Sequence, residues 1–263
     1  SIWENKMGII KIPWTRFVLI YLLLLVVLFV MKKCRINKTK MLVVASVRMT
    51  VQLIIAGFIL TYVINSNNNL FVIIYILIMA AFSSLKVFKG NHLSDKFKVI
   101  IGLSILFSGL LVECFYVGFV IRKPIFDAQY AIPISGMLFG NTMTAVNLGV
   151  NYLNENLKLN KNKITTLINL GVSADTALIP IVNRSVEMAI LPNLNSMIAM
   201  GIISLPGMMT GQILSGVSPN TAIIYQISVM IAICASVNIA SFLSLYLGYK
   251  SLINNREQIN FEL

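Results

Sequence analysis

Pro133-Ile134-Ser135-Gly136-Met137-Leu138-Phe139-Gly140-Asn141-Thr142-Met143-Thr144 opens the stretch that decides how this chain is read, and Ser204-Leu205-Pro206-Gly207-Met208-Met209-Thr210-Gly211-Gln212 lies near its close, at about residue 216. Both pieces sit in long apolar runs yet carry Gly, Pro, Asn and Met, and a polar connection joins them. Pro206-Gly207 weakens a helix from within, because Pro lacks a backbone donor and Gly adds no packing. In lipid the carbonyls freed by such a break must be satisfied by protein or by water in a cavity. The local sequence leaves two readings open: a discontinuous helix lining a transport path, or a packing kink.

The rest of the chain has the same character. With 57% hydrophobic residues, 11% charged residues and mean hydropathy +0.85, the composition lies outside that of soluble globular domains. Apolar runs long enough to cross ~30 Å of hydrocarbon as helices recur along it. The expected fold is all-α, a polytopic membrane protein of about seven transmembrane helices forming a single permease domain over 1–263. The spans are expected near 12–31, 41–64, 70–85, 99–121, 130–150, 191–214 and 221–249. No small-residue cleavage site follows the first run, so it is expected to be retained and not removed as a signal peptide. Trp3 and Trp14 suit a membrane–water interface.

The net charge of +12, from 21 basic and 9 acidic residues, gives the orientation. Basic residues cluster in the loops after spans one, three, five and seven, as in Lys32, Lys33, Arg35, Lys38 and Lys40 after the first. Fifteen fall on that side and five on the other, which places the amino terminus outside and the carboxyl terminus in the cytoplasm. No basic, aromatic-interleaved surface appears, so nucleic acid is not an expected partner. Residues of about 151–190 are too polar to span. Their apolar positions recur at helical spacing, and Leu170-Gly171-Val172-Ser173-Ala174 before Pro180 predicts a helix, a tight turn and a second helix. The segment reads either as an interfacial connector or as a cytoplasmic coupling element for an ATPase, with Gly171 and Ser173 at the contact.

Other side chains carry weaker signals. Gly136-xxx-Gly140 and Gly207-xxx-Gly211 have the small-xxx-small spacing that lets helices approach. Asn141, Thr142, Thr144 and Asn147 add a polar face that either bonds between helices or lines a path. Arg48 and Glu113 are the ionisable groups expected inside spans, and such groups face a cavity or a partner. Their expected depths differ, so independent roles stand beside a mutual pair. Thirteen methionines raise a soft-metal site, against the alternative of flexible packing. Cys34, Cys114 and Cys234 are far apart and imply no disulfide framework. His92 is the only histidine and lies in a loop. No Gly-x-x-x-x-Gly-Lys-Ser/Thr loop occurs, so ATP is not bound here by that device. No catalytic residues are expected.

At Gly136-Met137 through Met143, and again at Asn195-Ser196-Met197 with Ser204 through Leu214, the chain resembles the FetB-type iron export ABC permeases, related to plant aluminium-tolerance half-transporters. Arg48-Met49-Thr50-Val51-Gln52-Leu53 and Gln129-Tyr130-Ala131-Ile132-Pro133 match the same family. The resemblance runs from about residue 41 to 250. It implies the membrane-spanning half of an ABC transporter, dimerising and paired with a cytoplasmic ATPase chain that carries ATP and Mg. It also implies iron export and tolerance of oxidative stress. Residues 165–180 lack the acidic-Ala-Ala start and Ile-x-Leu-Pro ending of the importer coupling signature. This chain is thus expected to be a transporter subunit of the cell membrane, no enzyme and without a cofactor of its own. Asn141, Met143, Asn195, Met208 and Met209 are the expected path. Two rivals remain: a secondary transporter independent of ATP, and a membrane scaffold that transports nothing.

Overall fold

The computed structural model describes residues 13–66, 68–91, 93–253 and 259. Trp3 and His92 lie outside the described residues. The element order is α1 (Trp14–Leu19), α2 (Leu22–Lys33), α3 (Thr39–Ser66), α4 (Asn69–Gly90), α5 (Asp95–Phe115), α6 (Ala128–Leu159), α7 (Lys161–Asn169), α8 (Ala174–Ala199), α9 (Gly207–Leu214) and α10 (Pro219–Gly248). A π-helical segment, Tyr116–Ile121, continues α5, and a 3₁₀ turn, Tyr249–Leu252, ends α10. Among the described residues only two isolated β-bridges accompany these helices.

The helices begin where short polar side chains satisfy free backbone donors. Asn68 accepts from the Leu70 N–H at 2.9 Å, Asp127 from Gln129 at 3.1 Å and Ser94 from Phe97 at 3.4 Å. Within the helices, hydroxyls that would be costly in lipid bond back to carbonyls one turn earlier. Ser84 reaches Ala80, Ser104 reaches Ile100 and Ser185 reaches Ile181, at 2.7 to 2.9 Å.

Four helices are long and apolar enough to cross a membrane by length and composition: Thr39–Ser66, Asn69–Gly90, Asp95–Ile121 and Pro219–Leu252. Spans two, three, four and seven of the sequence reading fall within these. The first expected span is two helices, α1 and α2, joined at Ile20-Tyr21 by tighter i→i−3 bonds such as Leu24 N–H to the Tyr21 carbonyl at 3.0 Å. The fifth lies inside α6, whose 32 residues reach about 48 Å at 1.5 Å per residue and so outrun the hydrocarbon by several turns. The sixth is broken: α8 ends at Ala199, residues 200–206 are not helical, and α9 starts at Gly207. No break occurs at 190–191, because α8 runs through both Pro180 and Pro192.

The chain clusters into two units. Residues 1–67 with 211–218 make the first, in which α2 packs on α3 and the Tyr21 hydroxyl hydrogen-bonds the Thr50 hydroxyl. Most apolar side chains of α3 stand exposed, Phe58 and Leu53 among them, as lipid-facing residues do. Residues 68–210 with 219–263 make the second, a bundle in which α6 touches α4, α5, α8 and α10, and α10 also touches α5 and α8. Lipid is as apolar as leucine, so this bundle is held by close packing and not by escape from water. The ring of Phe139 fills the space a Cβ on Gly109 would need, 2.3 Å away. Gly149 lets α6 meet the Leu245 side chain at 2.8 Å and the Ser185 carbonyl at 3.1 Å from the same notional atom. The expected small-residue contacts are made at these glycines instead. Gly140, Gly207 and Gly211 face open space, and Gly136 has only the Met79 sulfur, at 3.8 Å.

Candidate translocation path and coupling segment

The polar face read from α6 divides into two pairs with opposite environments. Thr142 is fully buried, and its hydroxyl pairs with the Ser236 hydroxyl of α10 at 3.1 Å. One turn and a half later, the Asn147 side-chain oxygen accepts from the Asn91 amide at the end of α4, at 3.2 Å. These two residues bond between helices. Asn141 and Thr144 face out, and each returns its polar group to its own helix: Asn141 Nδ2 to the Met137 carbonyl at 2.8 Å, Thr144 Oγ1 to the Gly140 carbonyl at 3.0 Å. Gly136, Asn141 and Thr144, with half-buried Gly140, therefore form a small, polar, uncovered strip on one side of α6.

Methionines of three helices gather around one buried cluster. Met137 of α6, Met197 of α8, Met208 of α9 and Met200 of the 200–206 break pack against a group that includes Met230, Val229, Ile233 and Leu138. The Gln226 amide lies 3.9 Å from the Met200 sulfur. Of the expected path residues, Met208 belongs to this cluster, Met209 is buried beside it in sequence, Met143 is half-buried on α6, and Asn195 is exposed on α8. Met137, Met197 and Met200, with Met143, Met208 and Met209, are the methionines the sequence places in the core; Gln226 is the residue it does not single out. Among the described residues no three His, Cys, Asp or Glu side chains converge.

Near the α5 end of the bundle the Tyr116 hydroxyl bonds the Ser228 hydroxyl at 2.8 Å, and the Lys123 ammonium stands 6.0 Å from the centre of the Tyr130 ring. Glu113 is buried, in the second unit; Arg48 is an exposed residue of the first.

The polar segment forms the expected helix, turn and helix. Gly171 has φ +89°, a conformation that costs a side-chain-bearing residue and suits glycine. Its N–H bonds the Ile168 carbonyl at 2.9 Å, and the Val172 N–H bonds the Leu167 carbonyl at 3.0 Å, closing α7. Ser173 then caps α8, accepting from the Thr176 N–H at 3.3 Å and sharing a hydroxyl contact with Thr176 at 2.8 Å. Both Gly171 and Ser173 are exposed. Farther along α8, Arg184 and Glu187 form a solvated pair at 2.6 Å, whose hydrogen bond pushes the Arg184 guanidinium further up.

Comparison with known proteins gives the family. Residues 14–253 match the family described as Uncharacterised protein family (UPF0014). The UPF0014 membrane protein YjkA of Bacillus subtilis is 30% identical over 89% of this chain and 93% of its own length. Protein ALUMINUM SENSITIVE 3 of Arabidopsis thaliana is 32% identical over 81% of this chain and 77% of its own length. The probable iron export permease protein FetB of Escherichia coli is 28% identical over 81% of each chain. No solved structure matches the chain. With its long apolar helices and its match along nearly the whole length, the chain is a multi-pass membrane protein that belongs to the UPF0014 family.

Proposed function

We propose that this chain is the membrane-spanning permease of an ABC transporter, exporting iron or another metal or small solute. Two copies form the membrane part, and a separate cytoplasmic ATPase, which carries ATP and Mg, supplies the energy. The observation that carries the reading is the exposed α7–turn–α8 elbow, set at the end of a helix that outruns the bilayer. A capped, glycine-turned elbow on a rigid helical arm is suited to transmit a push from a soluble partner, with Gly171 and Ser173 at the contact. In this arrangement the chain crosses seven times, amino terminus outside, with 151–190 in the cytoplasm. The uncovered strip of Gly136, Gly140, Asn141 and Thr144 fits a second copy, or the water-lined path between two copies, better than it fits lipid. Asn141, Met143, Asn195, Met208 and Met209 line that path. The name of the Escherichia coli relative supports iron as the substrate class.

The test is co-purification followed by transport. The detergent-solubilised permease should retain an ATPase chain, and vesicles containing both should move iron only with ATP. Absence of any bound ATPase, with transport surviving ATP depletion, would sink the reading in favour of a secondary transporter. Unchanged cellular iron and peroxide sensitivity in a deletion strain would favour a scaffold.

A further inference from the structure

Glu113 stands near the end of α5 at 1% exposure, and neither of its carboxyl oxygens has a hydrogen-bond partner. Beside it, across the α5–α6 contact, is the fully buried Ser135 hydroxyl, near enough to act on the carboxyl as a donor although no hydrogen bond of full geometry is closed between them. A carboxylate taken out of water with no cation and one hydroxyl beside it costs several kcal/mol. Contacts between membrane helices typically return about 0.6 kcal/mol each. Something positive must therefore complete the pair. A hard metal ion takes about six oxygens, whereas Glu113 and Ser135 offer three, and among the described residues no group of three His, Cys, Asp or Glu side chains forms there. A proton requires one oxygen, and leaves an O–H that turns to the Ser135 oxygen.

We propose that Glu113, backed by Ser135, is an intramembrane proton site, filled in the packed bundle and open to exchange when the adjoining helix rewinds. The adjoining segment is the π-helical turn Tyr116–Ile121, which begins three residues after Glu113 and ends at Arg122 in the left-handed region, φ +58°. It is the last turn of the helix, with residues 122–127 not helical after it. Returning this segment to α-geometry turns Glu113 and the residues beyond Ile121 by roughly 100° relative to one another. Tyr116, held to Ser228 at 2.8 Å, is the first residue of that segment. The titratable side chains of this region are the Cys114 thiol, which feels Glu113, and the phenols of Tyr116, Tyr130 on α6 and Tyr225 on α10, which feel one another; on α4, Tyr75 is the titratable residue of the first two turns. The cations of the neighbourhood, Arg122 and Lys123, lie beyond the π-helical segment. The proton moves between bulk water and the carboxyl, with no other bond made or broken. This inference does not depend on the ABC reading.

The full chain, reconstituted in phosphatidylcholine vesicles, tests it with dicyclohexylcarbodiimide, which attacks carboxylic acids in their protonated form within apolar surroundings. Mass spectrometry should find the N-acylurea adduct on Glu113, at least about tenfold less of it when the pH is raised from about 6 to about 9, and none there in Glu113→Gln. A water-soluble carbodiimide should leave Glu113 unmodified. Absence of the adduct at every pH, labelling that ignores pH, or equal labelling by the water-soluble reagent overturns the proposal. Labelling that rises on addition of a chelator also overturns it, because a metal ion would then be the occupant. Glu113→Gln, the neutral isostere, should fold and melt like the parent; a large loss of stability would show that the site holds a carboxylate.

Discussion

Gly248 of α10 lies against the ring of Phe97 of α5 so closely that a Cβ on the glycine would sit 1.8 Å from the ring edge. Phe97 is fully buried near the start of α5, so its ring has nowhere to go. Gly248→Ala should therefore destabilise the bundle by about 1–3 kcal/mol through overpacking. Gly57→Ala in α3, where nothing stands within 4 Å, should be neutral or stabilising by up to ~1 kcal/mol through helix propensity. Unfolding both variants in mixed micelles checks the contrast, and equal effects would remove the packing argument.

The Thr142–Ser236 contact is a hydrogen bond between helices in a setting where packing does most of the work. Thr142→Val keeps the shape, and Ser236→Ala removes the other hydroxyl. The coupling between them in a double-mutant cycle should be about 0.6 kcal/mol, the usual size inside membrane proteins. A coupling of zero would mean that the two hydroxyls merely lie side by side.

The division of the first span into α1 and α2 was not legible in the sequence; the all-helical character of the chain, the break near Pro206-Gly207 and the turn at Gly171-Val172-Ser173 were. Each is fixed by local chemistry: a missing donor, a left-handed glycine, a capping hydroxyl. Which face of each helix packs was not legible. In water the polar side of a helix marks its outside, but α10 carries its polar residues, Gln226, Ser228, Ser236 and Asn238 among them, on no single side, and lipid removes the contrast. For that reason Thr142 and Asn147 could not be told from Asn141 and Thr144, although the first two point inward and the second two outward. Equally, Gly109, Gly149 and Gly248 made the close contacts expected of Gly136-xxx-Gly140.

Met137, Met197, Met200 and Met208 pack against one buried apolar cluster, which flexible packing alone would explain. Replacing Met200 and Met208 with Leu conserves volume and should cost less than about 1.5 kcal/mol each. Iron transport by these variants, and by Met143→Leu, should stay at the parent level. Lost transport in a variant that still folds would establish thioether ligation.

The outward strip of α6 predicts a pattern of accessibility. In a chain whose Cys34, Cys114 and Cys234 are replaced by Ala, Asn141→Cys and Thr144→Cys should react with a membrane-impermeant maleimide, and Ala145→Cys, buried at 5% exposure, should not. Strong protection of Asn141→Cys and Thr144→Cys, with cross-linking between copies, would assign the strip to a dimer contact and not to the path.

The elbow offers the sharpest separation of coupling from folding. Ser173→Ala removes the α8 cap and should loosen its first turn by about 1 kcal/mol, while Ser173→Asp restores an acceptor for the Thr176 N–H. Gly171→Val forces a β-branched side chain into φ +89° and should distort the turn itself. Neither position touches the buried bundle, so both loss variants should remain folded and inserted. If the elbow is the ATPase contact, Ser173→Ala and Gly171→Val should retain less ATPase on co-purification and transport more slowly, with Ser173→Asp close to the parent. Full ATPase retention in Gly171→Val would place the contact elsewhere on the cytoplasmic face.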